Sequence, residues 1–278
     1  MKLHVVKISV ICLMFFASAV SFAQKDFQGK AYYESKTTLD MNNFGGGDMS
    51  EERKKEIAQR MKSMLEKTFV LTFNQSESFY KEEEKLEAPG GGSGRWGAMM
   101  SSFTAGPQYK NVKNQLLLQE QEFFGKKFLI KDSLPKLNWK MEGEMKQIGQ
   151  YTCFKATATK TVDASGGVLS FRRPSNNEED ETPKTKEIEV VAWYTMQIPV
   201  NQGPDDYWGL PGLILELNAD RTTILCSKII LNPEEKDDIK VPSKGKEITK
   251  KEYEEVVKKK TEEMRQNFRG GQGGGGRR

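Results

Sequence analysis

The sequence predicts a mainly β protein: one antiparallel, strongly curved sheet or half-barrel, with one packed helix and a helical extension at the C-terminus. Three observations carry this. Short runs rich in β-branched and aromatic residues recur along most of the chain, with Gly, Asn and Ser between them. Helical periodicity is confined to a segment near 50–66 and another beyond 246. Finally, 15 Phe, 8 Tyr and 4 Trp in 278 residues are too many for a disordered polymer, although the hydrophobic fraction is only 36%.

The elements follow in order. Residues 1–23 have the form of a removable secretion signal: Lys2 and Lys7 flank the apolar stretch Ile8 to Val20, and Ser21-Phe22-Ala23 is a small-x-small cleavage site before Gln24. The apolar stretch is shorter than a membrane span, and no second one of spanning length follows. A β-rich domain is expected over 24–245. Its first strand falls within Gln28 to Leu39, and Ser50 followed by Glu51 and Glu52 starts a helix with Ile57, Met61, Met64 and Leu65 on one stripe. At that spacing the methionines point to a core-facing helix side before they point to copper. Thr68 to Phe73 and Glu77 to Lys81 form a hairpin around Asn74-Gln75-Ser76.

The Gly-, Ser- and Met-rich stretch near 88–107 reads as a flexible insertion, and the polar stretch near 174–186 as a second one. Between them lie strand pairs around Gly125 and Gly149. Val190 to Met196, Leu213 to Leu217 and Thr222 to Leu231 complete the strand set. Residues 246–268 form a charged helix, opened by the capping-box pair Thr249 and Glu252 and striped by Tyr253, Val256, Val257, Met264 and Phe268. Residues 269–278 form a disordered Gly/Arg tail.

Without the leader, 41 basic residues stand against 39 acidic ones, and the only histidine, His4, and Cys12 are gone. A charge of about +2 is not a nucleic-acid-binding balance. A chain with no imidazole excludes Ser-His-Asp and Cys-His nucleophile systems, two-His zinc sites and His-ligated haem. Two remaining cysteines are too few for a four-cysteine cluster. Carboxylate-only chemistry, as in glycoside hydrolysis, survives, and so does binding without chemistry. No cofactor, metal or catalytic residue is assigned.

Weaker patterns resolve against chemistry. Gly92-Ser93-Gly94-Arg95-Trp96-Gly97 matches a dinucleotide-binding fingerprint by letter, but no strand precedes it. Arg95 stands where a nucleophile elbow needs glycine. Cys153 and Cys226 both fall in expected strands, and two readings stay open. If those strands are neighbours the thiols can pair, closing a loop worth about 4 kcal/mol in the chain-entropy model; otherwise they are buried free thiols.

The densest signal is the run from Ile198 to Leu217. Gly203-Pro204 marks a turn, and Leu210-Pro211-Gly212-Leu213 has the Pro and Gly that a type II turn prefers at its central positions. Tyr207, Trp208, Gly209, Leu210, Pro211, Gly212, Leu213 and Ile214 form the candidate binding corner. Asp205, Asp206, Tyr207, Trp208 and Glu216 have the composition of a glycan site, against which stands the plainer reading of solvated acids beside a turn.

Gly209 to Ile214 spells the hexapeptide for which the GLPGLI family of exported Bacteroidota-type proteins is named. Leu134-Pro135-Lys136-Leu137-Asn138-Trp139, Ile148-Gly149-Gln150-Tyr151-Thr152-Cys153-Phe154-Lys155-Ala156, Ala192-Trp193-Tyr194-Thr195, Ile198-Pro199 and Gly203-Pro204 agree with it in order. The chain thus resembles that family over roughly residues 28–231. The resemblance implies a secreted or periplasmic envelope protein, some relatives occurring near outer-membrane TonB-dependent receptors, and carries over no catalytic residue.

The expectation is therefore an exported, non-enzymatic protein of the periplasm or outer-membrane periphery. It binds an outer-membrane receptor, another envelope protein or an apolar ligand, with no nucleic acid and no transmembrane segment in the mature chain. A carboxylate-based glycan hydrolase and a structural subunit of an outer-membrane complex are the alternatives.

Overall fold

The computed structural model describes residues 27–38, 50–83, 105–163, 185–235 and 237–270. The expected leader, most of both expected insertions and the end of the expected tail lie outside them. The chain forms β1 (Gly29–Thr37), α1 (Glu51–Arg60), a single turn α2 (Lys62–Leu65), β2 (Glu66–Phe73), β3 (Glu77–Glu82), β4 (Gln108–Asn111), β5 (Leu116–Phe123) and β6 (Lys126–Ser133). It continues through β7 (Lys140–Ile148), β8 (Tyr151–Asp163), β9 (Thr185–Thr195), β10 (Leu213–Ala219), β11 (Thr222–Leu231), β12 (Lys246–Ile248) and α3 (Lys250–Gly270).

All twelve strands join one sheet in the order β12-β6-β5-β4-β3-β2-β1-β11-β10-β9-β8-β7, open at both ends. The fold is mainly β. Local chemistry makes the hairpins. Asn74 Oδ1 accepts from the N–H of Ser76 at 2.8 Å and of Glu77 at 2.7 Å, an Asx turn that reverses β2 into β3. Phe124 and Gly125 take φ of 48° and 74°, the mirror-image turn whose twist suits β5 and β6.

Several boundaries move. The first insertion ends before Pro107, because the Glu120 N–H donates to the Pro107 carbonyl at 3.0 Å and the Gln121 side chain accepts from the Gly106 N–H at 3.2 Å. Thr185 and Lys186 open β9 rather than ending a loop. Residues 246–248 are a strand, not helix: β12 lies parallel to β6, Lys246 opposite Phe128 and Ile248 opposite Ile130. Three residues reading Lys-Glu-Ile carry no detectable period, so only the neighbour reveals them. Among the described strands the pair of β12 and β6 is parallel, and the rest of the sheet is antiparallel as expected. Arg269 and Gly270, assigned to the tail, belong to the last turn of α3.

Ser50 caps α1, which is mostly exposed and meets the sheet at its C-terminal end, where Met61 is buried. The capping box of α3 forms as its letters predict: Thr249 N–H donates to Glu252 Oε2 at 2.8 Å and Glu252 N–H to Thr249 Oγ1 at 3.2 Å. Tyr253 then docks edge-on against Phe123 and Phe128.

The main core gathers Ala31, Tyr33, Leu71, Phe73 and Tyr80 from one half of the sheet with Cys153, Ala156, Val190, Ala192 and Tyr194 from the other. The segment 196–212 links the halves. It leaves β9 at Thr195, and Gly203 already touches Lys110 of β4, six strand positions away. A flat sheet would place those strands about 28 Å apart, more than eight kinked residues span. The sheet must curve, with this segment lying across its inner face.

Candidate functional site

The expected binding corner is built as interior. Leu210, Leu213 and Ile214 are fully buried, Tyr207 and Trp208 nearly so, and Pro211 is exposed. The type II turn is not formed. Positive φ falls at Gly209 (93°) and not at Gly212, and the Leu213 N–H donates to the Ile198 carbonyl at 3.0 Å instead of closing a tight turn. The two glycines answer different needs: Gly209 supplies a left-handed backbone, and Gly212 packs where a Cβ would overlap the Thr195 carbonyl oxygen.

Two tryptophans fix the corner. The Trp139 indole N–H donates to the Trp208 carbonyl at 2.8 Å, and the Trp208 indole to the Pro135 carbonyl at 2.6 Å. Tyr33 Oη donates to the Ile214 carbonyl at 2.7 Å from the centre of the sheet. The apolar side chains of the corner are thus consumed by the fold.

The acids before the hexapeptide are not a solvated pair. Asp206 holds Lys160 through both carboxylate oxygens at 2.8 Å with its own side chain only 10% exposed. The Lys160 ammonium also lies 4.4 Å from the centre of the Tyr207 ring. Burial opposes its charge, yet Asp206 raises its pKa above the ordinary lysine value. Burial, then Asp206, raises the Asp205 pKa. The Tyr207 hydroxyl is pushed up to about 12, chiefly by burial.

Lys110, which the sequence did not mark, is fully buried. Its ammonium donates to the carbonyls of Gly203 at 2.6 Å, Asp205, and Tyr207 at 3.3 Å. Burial pulls its pKa down to about 8 against the opposing pull of Asp205 and Asp206. Opposite it on β3 is Ser78, whose hydroxyl donates to Gln202 Oε1 at 2.9 Å. The run Gln108-Tyr109-Lys110-Asn111 shows no apolar alternation, yet all four residues are buried, so no sequence signal was available.

Glu216 pairs with Lys146 at 2.7 Å, and that ammonium sits 4.3 Å from the centre of the Trp193 ring. Cys153 and Cys226 are free, buried thiols, and pairing is not made. Their strands β8 and β11 are separated by β9 and β10, so the condition for pairing fails. Burial raises the two thiols to about 11 and about 12, which disfavours the reactive thiolate. Among the described residues no group of three or more His, Cys, Asp or Glu side chains could hold a metal ion, and no helix is long and apolar enough to cross a membrane.

β7 is the terminal strand and differs from the buried corner. Its charged residues are engaged within the chain: Glu144 with Lys155 at 2.7 Å, Glu142 with Lys140 at 3.1 Å, and Lys146 with Glu216. Met141 and Met145 are 52% and 63% exposed, and Met196 of the adjoining segment 51%.

Residues 139–216, the stretch from Trp139 through the hexapeptide to Glu216, match the family model described as a protein of unknown function (Porph_ging). No curated protein matches the chain. Solved structures of PNGF-II are similar to it: one in a C2 space group at 14% identity and TM-score 0.47, another in P21 at 13% and 0.48. Each match covers 84% of this chain and 33% of the other, so the chain spans about a third of the length of PNGF-II.

Proposed function

We propose that this is an exported, non-enzymatic cell-envelope protein of the periplasm or outer-membrane periphery that binds a partner protein through the β7 edge of its sheet. One observation carries the reading. β7 ends a twelve-strand sheet with one row of backbone groups unpaired by the described strands, and it exposes two methionines among charged side chains that are engaged within the chain. Such an edge suits addition of a partner's strand, hydrogen bonds giving affinity and adaptable thioethers contributing contact. An apolar ligand at the hexapeptide is less well supported, because Leu210, Leu213 and Ile214 are already buried within the chain. The non-enzymatic reading is supported by the ion pairing of two carboxylates near the corner, Asp206 with Lys160 and Glu216 with Lys146. An accessory role beside a TonB-dependent receptor remains a proposal of the same kind.

The test places a photo-reactive residue at Gln147, which is exposed on β7, in intact cells. A discrete adduct that fails to form from the same position at exposed Lys113, and that disappears in the Met141→Lys/Met145→Lys variant, is the expected outcome. Identical patterns from 147 and 113, or an adduct indifferent to the two methionines, would remove the edge as the docking site. N-terminal sequencing of the recovered protein should begin at Gln24.

A further inference from the structure

The loop before the hexapeptide has the geometry of a cation-binding loop. The carbonyls of Gly203, Asp205 and Tyr207, alternate residues along the backbone, converge on one nitrogen, the Lys110 ammonium. Alternate carbonyls of extended backbone point to one side but run parallel, about 7 Å apart, and those of a helix point along its axis, so bringing three alternate carbonyls onto one atom needs a sharp bend. Asp205 supplies it with φ of +50°. Three carbonyl oxygens replace water around a desolvated cation as they do in ion-selective filters, and an ammonium has three donors to meet them.

We propose that residues 203–207 form a binding site for a small monovalent cation and that the chain supplies the cation itself, as the tethered ammonium of Lys110. The charged and titratable groups around it fit that assignment. Asp205 and Asp206 are the anions that offset the buried charge. Asp206 is shared with Lys160, which stacks on Tyr207, and Tyr80 lies close enough to Asp205 to feel its charge. On the neighbouring strand Ser78, which faces Lys110, donates to Gln202 Oε1 and so anchors the residue that precedes the loop. The tether joins β4 to a loop that arrives from β9, closing the inner face of the curved sheet.

Removing the tether should leave a site that a free cation refills. In Lys110→Ala the melting temperature should fall by about 10 °C, the scale expected when a buried charge contact is lost from a domain of this size. Methylammonium chloride at 100 mM should restore more of that loss than tetramethylammonium chloride at the same ionic strength, since only the former donates hydrogen bonds. Equal recovery in the two salts, or none in either, overturns the proposal. Should Lys110→Ala not fold, the native protein decides. Nitrogen-15 NMR of the lysine ammonium groups should show one slowly exchanging signal with couplings to carbonyl carbons, assigned by its loss in Lys110→Met. If every ammonium exchanges as fast as solvent-exposed ones, or Lys110→Met melts with the native protein, no tethered cation holds the loop.

Discussion

Trp139 and Trp208 are joined by a hydrogen bond from the indole of the first to the backbone carbonyl of the second, at 2.8 Å across 69 residues of chain. The Trp208 indole answers by donating to Pro135. The segment Leu134 to Trp139 and the hexapeptide region are thus two sides of one contact, which gives a physical reason for their occurring together in one sequence. Trp139→Phe keeps most of the ring and removes the donor, leaving a part-buried carbonyl unpaired. A loss of about 1–2 kcal/mol is expected from urea unfolding. A variant with native stability would mean that water already serves that carbonyl.

The two glycines of the corner should respond differently to alanine. Gly212→Ala forces a methyl into the Thr195 carbonyl, against backbone that cannot yield cheaply, and should cost about 3 kcal/mol or more. Gly209→Ala meets no close atom but holds φ at +93°, so about 1–2 kcal/mol is expected. Denaturation midpoints in the reverse order would contradict the assignment of crowding to Gly212 and of conformation to Gly209.

The thiols offer a test of burial. With the Cys153 and Cys226 pKa values raised to about 11 and about 12 by burial, thiolate is scarce at pH 8 and access is limited. Peptide mass spectrometry after maleimide treatment should find both unmodified in native protein and both modified in 6 M guanidinium. Rapid native labelling of either would show that its strand opens.

Glu252 carries a pH-dependent cap. Its carboxylate accepts from the Thr249 N–H and hydroxyl, and these hold its pKa below the ordinary 4.5. A depressed folded value stabilises α3 above the unfolded pKa, and that contribution is lost as pH falls through the folded one. Carbon-13 titration should place the Glu252 midpoint below that of ordinary glutamates, and Thr249→Ala should raise it. An unmoved midpoint in that variant removes the Thr249 hydroxyl as a cause and leaves the shift to the backbone N–H.

Much of the strand set was legible because its signals are local. Thr222 to Leu231 is a strand over the expected span, the Asn74 turn and the Thr249 cap form as spelled, and Gly125 and Gly149 sit at positive φ in their hairpins. Where the signal needed a neighbour it was absent. β12 exists because Gly245 lets the chain lie against Lys127 and Phe128. Gly212 looked like the φ-determining residue of a Pro-Gly turn, and it is required instead by a carbonyl belonging to β9.

The candidate site divides along the same line. From the sequence alone, the run from Ile198 to Leu217 stands out as the densest motif, its leucines fit a buried bend, and the only histidine, His4, falls in the expected leader, whose removal would exclude whole classes of chemistry. These follow from residue type and spacing, which are properties of the chain itself. Only the tertiary structure decided that Asp206 is an ion-paired interior acid, that two cysteines in strands lie on non-neighbouring ones, and that Lys110 is, among the described residues, the most deeply buried cation. A charge is tolerated inside only where oxygens converge on it, and the three that converge on Lys110 come from a segment 93 to 97 residues away. No local pattern encodes that distance; the curvature of the sheet does.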